Sequence, residues 1–235
     1  MSRARSQTAH ESQARDVTTA PAQPLGGGDG ARGPHQLPRG RHGLPPARVA
    51  QNQRERMLRA LAEAMAEHGY VATSVADVIR RAGTSRETFY QQFSSKQDCF
   101  IAAYEEAAAK VLAGVGRAAG HEGTPLERFD HAVSAYLEAL AAEPAFARLF
   151  LLEVYAAGPA ALNERFKLQR RFVDLMAERL QAEGPTEHFA CETLVAGVSA
   201  MVTARLAEGD VEGLQTLREP LIDLVTRALA HRAGR

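Results

Sequence analysis

The chain has 235 residues, 45% of them apolar, which is enough to bury a sizeable core in one or two domains. It contains no run of 18 or more apolar residues and no apolar stretch at its start, so we expect neither a membrane span nor a secretory signal. Cys99 and Cys191 lie far apart and form no CxxC pair, which indicates reduced thiols in a cytoplasmic protein.

The net charge is zero, but the charges are distributed unevenly along the chain. Residues 1–96 contain fourteen Lys and Arg against eight Asp and Glu, a net charge of +6, so the remainder carries −6. A basic first part is typical of a head that binds a polyanion, joined to a body that binds something else. A chance asymmetry of solvated faces is the alternative.

The first part of the chain divides into an arm and a helix. Residues 1–50 are rich in proline and glycine and nearly lack large apolar residues, which predicts a disordered basic arm. Asn52 with Glu55 is predicted to begin the first helix, and Gly69 to end it.

Two short helices follow in close succession. Ser74 with Asp77 is a capping box that begins one helix, and Gly83 ends it by allowing a left-handed residue. Thr84 with Glu87 repeats the box, so we expect the next helix after a very short turn. Two helices this close cross at a steep angle, which is the geometry of a helix-turn-helix.

The second of these helices has two contrasting faces. Phe89 and Phe93 are four residues apart and are predicted to point inward. The opposite face carries hydroxyl, guanidinium and amide groups, which suit the base edges and phosphates of a DNA major groove.

The stretch from Ser74 to Phe93, with Gly69-Tyr70 before it and Ser95-Lys96 after it, resembles the DNA-binding domain of the TetR (tetracycline repressor) family of transcriptional regulators. The resemblance covers residues 52–105. It implies an all-α fold, with an N-terminal three-helix helix-turn-helix domain and a C-terminal helical domain for ligand binding and dimerisation. We place the boundaries at 1–50 for the arm, 51–97 for the DNA-binding domain and 98–235 for the body. A small helical bundle that binds no DNA is the alternative.

Nine residues are predicted to contact DNA. Since Arg pairs best with guanine and a glutamine amide with adenine, the residues expected to read bases are Ser85, Arg86, Thr88 and Gln91. The residues expected to hold phosphates are Thr73, Thr84, Tyr90, Gln92 and Lys96, of which Lys96 resembles the family's phosphate-contacting lysine. Glu87 departs from the small residue often found there in relatives, and we interpret it as part of the helix cap. The end of the arm, from Arg39 to Arg48, is a further candidate for minor-groove or phosphate contact, against an uncommitted tail.

The body is predicted to be helical over residues 95–119, 124–142 and 163–183, with a short aromatic helix between Pro144 and Pro159. Gln169 on an otherwise apolar face, and the ligand cavity usual in the family, favour a small-molecule site here over plain core packing. The residues predicted to line it are Tyr104, Phe129, Tyr136, Phe146, Phe150, Phe166, Gln169, Phe172 and Met176.

The last two helices, after Gly184-Pro185 and from Leu214 onward, are apolar on more than one face and must therefore be covered on more than one face. We predict that they pair with their twins in a homodimer, as the resemblance also implies. A monomer with two central core helices is the alternative. The predicted interface residues are Leu194, Val198, Met201, Val202, Leu221, Leu224 and Val225.

Catalytic motifs are missing from the sequence: we find no Walker loop, GxGxxG, GxSxG or HExxH. His188, Cys191 and Glu192 without a distant fourth ligand are a weak metal signal. We therefore expect no catalytic residue, no metal and no cofactor.

The expected function is that of a dimeric, sequence-specific DNA-binding regulator, a repressor released from a palindromic operator by a small, largely apolar ligand. Two alternatives remain. A ligand-independent helix-turn-helix protein that organises DNA or recruits a protein partner would have a body filled with side chains, whereas a helical enzyme would need a titratable pair inside the cavity.

Overall fold

The computed structural model describes residues 45–233, so the expectations for residues 1–44 of the arm, including Arg39 and Arg41, lie outside the described residues. The predicted disorder is wrong for residues 46–50, which with Arg48 belong to the first helix. This part of the chain is all-α, as predicted, and contains nine α-helices and two short 3₁₀ turns. The helices are α1 (Pro46–Ala72), α2 (Val75–Ala82), α3 (Arg86–Gln92), α4 (Lys96–Ala119), α5 (Pro125–Ala142), α6 (Pro144–Leu151), α7 (Pro159–Leu180), α8 (Pro185–Glu208) and α9 (Arg218–Ala233), and the turns are Glu153–Tyr155 and Glu212–Leu217.

Helix α1 begins at Pro46, not at Asn52. A proline suits the first turn because its missing N–H would have had no helical partner there. Gly69 lies inside the assigned helix but has a φ of +76°, so the chain kinks at the predicted stop and makes one further turn. The backbone N–H of Thr73 then donates to the Gly69 carbonyl at 3.2 Å.

The caps of α2 and α3 differ from each other. In α2 the predicted box is present, because Ser74 accepts from the Asp77 N–H and the Asp77 carboxylate accepts from the Ser74 N–H. The predicted box at α3 is wrong: Ser85, not Thr84, is the cap, and its Oγ accepts from the backbone N–H of Thr88 at 3.0 Å. The Glu87 carboxylate instead accepts from a side-chain amide one turn further along α3.

Two aromatic residues anchor α3 in the core of the helix-turn-helix domain, α1 to α3, which we call the head. Phe89 and Phe93 are both buried, with ring centroids 5.5 Å apart. They share a hydrophobic core with Met57 and Leu61 of α1 and Val78 of α2. The polar side of α3 is therefore the side that faces solvent.

The helices of the body pack around α4, α5 and α7. Helix α4 contacts α5 and α7, α7 contacts α8, and α9 packs on α5. Helix α5 begins with a capping box, in which the Thr124 hydroxyl accepts from the Glu127 N–H and the Glu127 carboxylate accepts from the Thr124 N–H. Helix α7 starts at Pro159 rather than at Asn163, and the last helix starts at Arg218 because the segment from Glu212 forms a separate 3₁₀ turn.

Helix α8 is the one described helix that is long and apolar enough to cross a membrane by length and composition, and only 17% of its apolar window is buried. A core helix of a soluble protein passes the same test, so this is weak evidence for a span. The low burial has a more direct meaning, which is that α8 leaves an apolar side uncovered by its own chain.

Candidate nucleic-acid interface and ligand cavity

The solvent-facing side of α3 holds most of the predicted base-reading groups. Arg86, Glu87 and Gln91 are exposed, and Thr88 is half-buried. The Thr88 hydroxyl lies 2.8 Å from Oγ of Ser85, so both hydroxyls are partly used in the helix cap. Arg86, Glu87 and Gln91 therefore carry the exposed hydrogen-bonding groups of this face, with the Gln91 amide donating to the Glu87 carboxylate at 3.3 Å.

Arg86 is held by a residue one turn along α3. Its guanidinium lies 5.4 Å from the Tyr90 ring centroid, with Nη2 3.5 Å from the phenol oxygen. Among the salt bridges of residues 45–233, none involves Arg86. The guanidinium is thus oriented without being neutralised, which leaves it available to an acceptor pair on a base. Tyr90 is 46% exposed beside it.

The turn between α2 and α3 is held by Arg56 of α1, which the sequence analysis missed. Its guanidinium donates to the carbonyls of Ala82 and Gly83, the latter at 3.0 Å. These carbonyls end α2 and have no helical donor, so the arginine satisfies them. No local pattern marks Arg56, because its partners lie 26 and 27 residues away.

Three predicted phosphate contacts lie in different surroundings from those expected. Thr73 is 1% exposed and its hydroxyl donates to the Gly69 carbonyl at 2.8 Å. Lys96 Nζ donates to the carbonyls of Tyr70 and Thr73 at 2.7 and 2.8 Å, and desolvation lowers the pKa of Lys96. The hydroxyl oxygen of Thr84 is covered and has no partner. Thr73 and Thr84 therefore leave the set. Lys96 keeps one N–H without an oxygen acceptor, with Nζ 4.1 Å from the Tyr70 ring centroid, and Gln92 is half-buried at the end of α3.

The body encloses a hollow between α4, α5, α6, α7 and α8. It contains about 690 Å³ of space free of atoms, part of it open to solvent. Its walls are mostly apolar, which is typical of small-molecule sites. The lining residues are Tyr104, Val115, Phe129, Ala132, Val133, Tyr136, Phe150, Leu151, Arg165, Leu168, Gln169, Phe172, Met176, Leu194, Val195, Val198 and Ser199.

Seven of the nine residues predicted to bind ligand are among these, and two are not. Phe166 is 51% exposed on the outside of α7. Phe146 lies under the guanidinium of Arg59, 5.8 Å from ring centroid to Cζ. Both therefore leave the set. The sequence analysis missed Arg165 and Ser199, whose polar side chains gave no apolar signal.

The polar groups of the cavity gather around Arg165. Its Nη2 donates to Oγ of Ser199 at 3.1 Å, and its guanidinium lies 5.1 Å from the ring centroid of Tyr155. Tyr104 is 1% exposed and its hydroxyl has no hydrogen-bond partner. Burial raises the pKa of Tyr104 and of Tyr136, and the Arg165 charge opposes that rise in both. The phenols therefore stay protonated near neutral pH and can act as donors.

The wall formed by α6 is also fastened to the head. Glu143, just before α6, receives two hydrogen bonds of 3.2 Å from Arg59 of α1, and this pairing raises the pKa of Arg59. After α6, Glu153 accepts from the backbone N–H of Tyr70 at 2.6 Å. Gln97 at the start of α4 donates to the Ala157 carbonyl at 2.7 Å. One segment thus contacts both the cavity and the head.

The predicted interface residues separate into three groups. Val202, Leu221 and Val225 are buried within the protomer, so we remove them from the interface. Leu194 and Val198 line the cavity instead. Met201 and Leu224 are 40% and 56% exposed, and Phe189 of α8 is 67% exposed.

Among the described residues, no cluster of three or more His, Cys, Asp or Glu is arranged to hold a metal ion. His188 lies 3.9 Å from Glu192, and Cys191 is buried. The polar groups in the cavity wall are phenol, guanidinium, amide and hydroxyl.

Residues 57–103, which span α1 to the first part of α4, match the family profile described as bacterial regulatory proteins of the tetR family. These residues form a DNA-binding domain of the TetR family. A search of characterised proteins adds the transcriptional activator FasR of Mycolicibacterium smegmatis, which is 22% identical over 149 residues, or 63% of this chain and 68% of FasR.

Solved structures of TetR-like regulators share the fold. The fatty acid degradation regulator FadR of Bacillus halodurans superposes with a TM-score of 0.64 at 19% identity, over 72% of this chain and 96% of its own. FadR of Bacillus subtilis, solved in complex with stearoyl-CoA, gives a TM-score of 0.62 at 19% identity, over 72% and 97% of the two chains. At these identities the likeness concerns the fold. Together with the family profile over residues 57–103, it supports a DNA-binding regulator of the TetR type.

Proposed function

We propose that this TetR-family regulator is a homodimeric repressor, which binds a palindromic operator and leaves it when a small, largely apolar molecule fills the body cavity. The observation that carries the proposal is the α6 segment, because it forms part of the cavity wall and is bonded to the head at three places. The function would be carried out in the cytoplasm, without a metal or cofactor.

In the proposed complex, α3 lies in the major groove with its exposed side toward the bases. Arg86 pairs with guanine and Gln91 with adenine. Glu87 takes no part in the cap of α3 and lies on the same exposed side. Its carboxylate is suited to accept a hydrogen bond from the amino group of cytosine. Tyr90, Gln92 and the free N–H of Lys96 contact the backbone, while Ser85 and Thr88 mainly fix the start of α3.

The homodimer is proposed because α8 exposes an apolar side that a monomer would leave in water. Phe189 and Met201 flank a row of small residues, Ala196, Ala200 and Ala204, all of them exposed. Small residues allow a partner helix to approach closely, and the exposed Leu224 gives α9 an apolar contact as well. Two heads in such a dimer would meet half-sites about 34–36 Å apart, one turn of DNA.

Release by ligand follows if filling the cavity moves α6. A ligand that packs against Phe150 and Leu151 presses on the helix whose ends hold Arg59 and Tyr70 of the head. A shift there changes the separation of the two heads and weakens binding to the fixed half-site spacing. Coupling of this kind is typically about 1–3 kcal/mol, or roughly 5- to 150-fold in affinity.

The decisive experiment selects fragments of the source organism's DNA with the purified protein, measures affinity by fluorescence anisotropy and then screens small molecules for release. We expect a palindromic site, two chains per site and release by an apolar compound. Binding of one chain per site in solution, or a protein that never dimerises, would contradict the homodimer.

The sign of regulation needs its own measurement, because the characterised relative FasR is described as an activator. A reporter gene placed behind the selected operator should be more active when the regulator gene is deleted. Lower expression after deletion would make the protein an activator. The ligand-independent alternative is disfavoured by the hollow in the body.

A further inference from the structure

The cavity is polar at one end and apolar at the other. Along α7 the lining residues recur on a single face, beginning with Arg165 and ending with Met176. At 1.5 Å per residue this face is about 16 Å long. Gln169 follows Arg165 by one turn, and the remaining residues of this face, Leu168, Phe172 and Met176, are apolar, so the polar groups of α7 lie toward its start.

The second wall of the cavity has the same polarity. Ser199 of α8 is hydrogen-bonded to Arg165, which places the polar residues of the two helices together. The other α8 residues in the lining are Leu194, Val195 and Val198. An occupant with one polar end and one aliphatic end would therefore match both helices in the same orientation.

Arg165 has unused donors and no acidic partner. Its guanidinium carries five N–H groups, and the structure gives it one hydrogen bond, to a serine hydroxyl. None of the salt bridges among residues 45–233 involves it. A half-buried guanidinium without a carboxylate favours an anionic ligand, because a planar fork of donors matches a carboxylate.

An independent observation comes from Tyr104. Its ring stacks on Phe150 with centroids 5.0 Å apart, and its buried hydroxyl has no partner. An unpaired buried hydroxyl carries a desolvation cost that a ligand acceptor would remove. Tyr104 and Arg165 line the same cavity, so one head group can meet both.

We propose that the cavity binds an aliphatic carboxylic acid, with the carboxylate paired to Arg165, a hydrogen bond from the Tyr104 hydroxyl, and the chain lying along α7 toward Met176. This rests on the proposed function only in taking the acid as the effector. A coenzyme A thioester lacks the charge that would pair with Arg165. Its thioester carbonyl, next to the aliphatic chain, is uncharged, and the phosphates of coenzyme A are far from that carbonyl.

The test measures binding to the full-length protein by isothermal titration calorimetry with decanoate, 1-decanol and decanoyl-CoA. We compare the wild type with Arg165→Gln, Arg165→Lys and the matched control Arg170→Gln, which changes an exposed arginine of the same helix. Arg165→Gln should weaken decanoate binding about 10- to 100-fold, as expected for lost hydrogen bonds to a charged group, and leave 1-decanol nearly unchanged.

Arg165→Lys should restore part of the decanoate affinity, because it returns the charge without the planar fork. Tyr104→Phe should weaken decanoate about fivefold and leave the melting temperature of the ligand-free protein equal or higher. The lysine and phenylalanine variants decide the matter should Arg165→Gln fail to fold.

Equal losses for decanoate and 1-decanol in Arg165→Gln would show that Arg165 only bridges α7 and α8, and would overturn the proposal. Tighter binding of decanoyl-CoA than of decanoate would overturn it as well. The calorimetry needs no DNA, so its result is separable from the proposed function. A protein that binds decanoate as described but no operator would contradict the repressor, while an operator-binding protein without decanoate binding would contradict only the acid site.

Discussion

The head and the body of this protein are built from similar helices but treat their interiors differently. In the head, the aromatic residues of α3 are buried in a core shared with α1 and α2, and the polar side of α3 is left for a partner. In the body, aromatic residues of four helices pair in the wall of a cavity, Tyr104 with Phe150 and Tyr136 with Phe172, and leave the space between them unfilled. A filled interior holds one surface rigid, whereas a hollow interior can respond to an occupant.

The largest effect should come from comparing one aromatic residue in each interior. Phe89→Ala should destabilise the head by about 3–5 kcal/mol, because the ring is completely buried. Phe172→Ala should cost less, since one side of that ring faces the cavity and has fewer atoms to lose. Chemical denaturation followed by circular dichroism measures both.

The same pair should differ in function. Phe172→Ala should change the response to ligand and leave operator affinity intact, because the side chain is far from α3 in the fold. If Phe172→Ala lowers thermal stability while the ligand response stays normal, the residue is core and the cavity is not a binding site.

The next effect concerns the exposed side of α3. Arg86→Ala should lower affinity for the selected operator by about 1–3 kcal/mol, while binding to random DNA falls much less. Anisotropy titrations on both DNAs at one salt concentration measure the difference. Equal losses would mean that Arg86 touches only phosphate and that the specificity resides elsewhere on the helix.

A smaller effect is expected from removing one of the hydrogen bonds that connect the head to the body. Glu153→Ala removes the acceptor of the Tyr70 N–H, so ligand should release the operator less completely, with coupling reduced by about 0.5–2 kcal/mol. Glu105→Ala, an exposed glutamate of α4, is the matched control. Unchanged coupling in Glu153→Ala would move the connection to the Arg59–Glu143 pair or to Gln97.

These contrasts also explain which features the sequence could predict. The Ser74–Asp77 box, the left-handed Gly83 and the inward Phe89 depend on residues within a few positions of each other, and all three have the expected geometry. The role of Lys96 could not be predicted, because its two carbonyl partners are 26 and 23 residues away. Local pattern therefore predicts caps and turns, but not the contacts that hold separate elements together.

The cavity shows a second limit, which concerns the phase of a helix. The sequence analysis placed Phe166 on the inner face of α7 because it is aromatic, yet the inner face holds Arg165. Neighbouring residues on an α-helix point about 100° apart, so an error of one position exchanges a ligand group for a solvent-exposed one. That Arg165 lines an apolar cavity is seen from the packing around it, and could not be predicted from the polarity of the residue itself.

The smallest effect is expected from removing one helix cap in the head and a matched helix cap in the body. Ser74→Ala in the head and Thr124→Ala in the body each remove a capping-box hydroxyl, and each should cost about 0.5–2 kcal/mol of stability. Hydrogen bonds from Ser74 lower the pKa of Asp77 to about 2, and those from Thr124 lower the pKa of Glu127. The stability that each ionised carboxylate contributes is therefore fully present above the ordinary carboxyl pKa. It is lost as the pH falls through the lowered pKa of the folded protein.

The two cap variants should differ in one respect only. Ser74→Ala should also weaken operator binding, because α2 supports the turn that presents α3, whereas Thr124→Ala should leave it unchanged. Melting temperatures and operator titrations on both proteins at neutral pH measure this. If both variants weakened operator binding equally, the body would be stabilising the DNA-bound head directly, and the distinction between a rigid head and a responsive body would have to be given up.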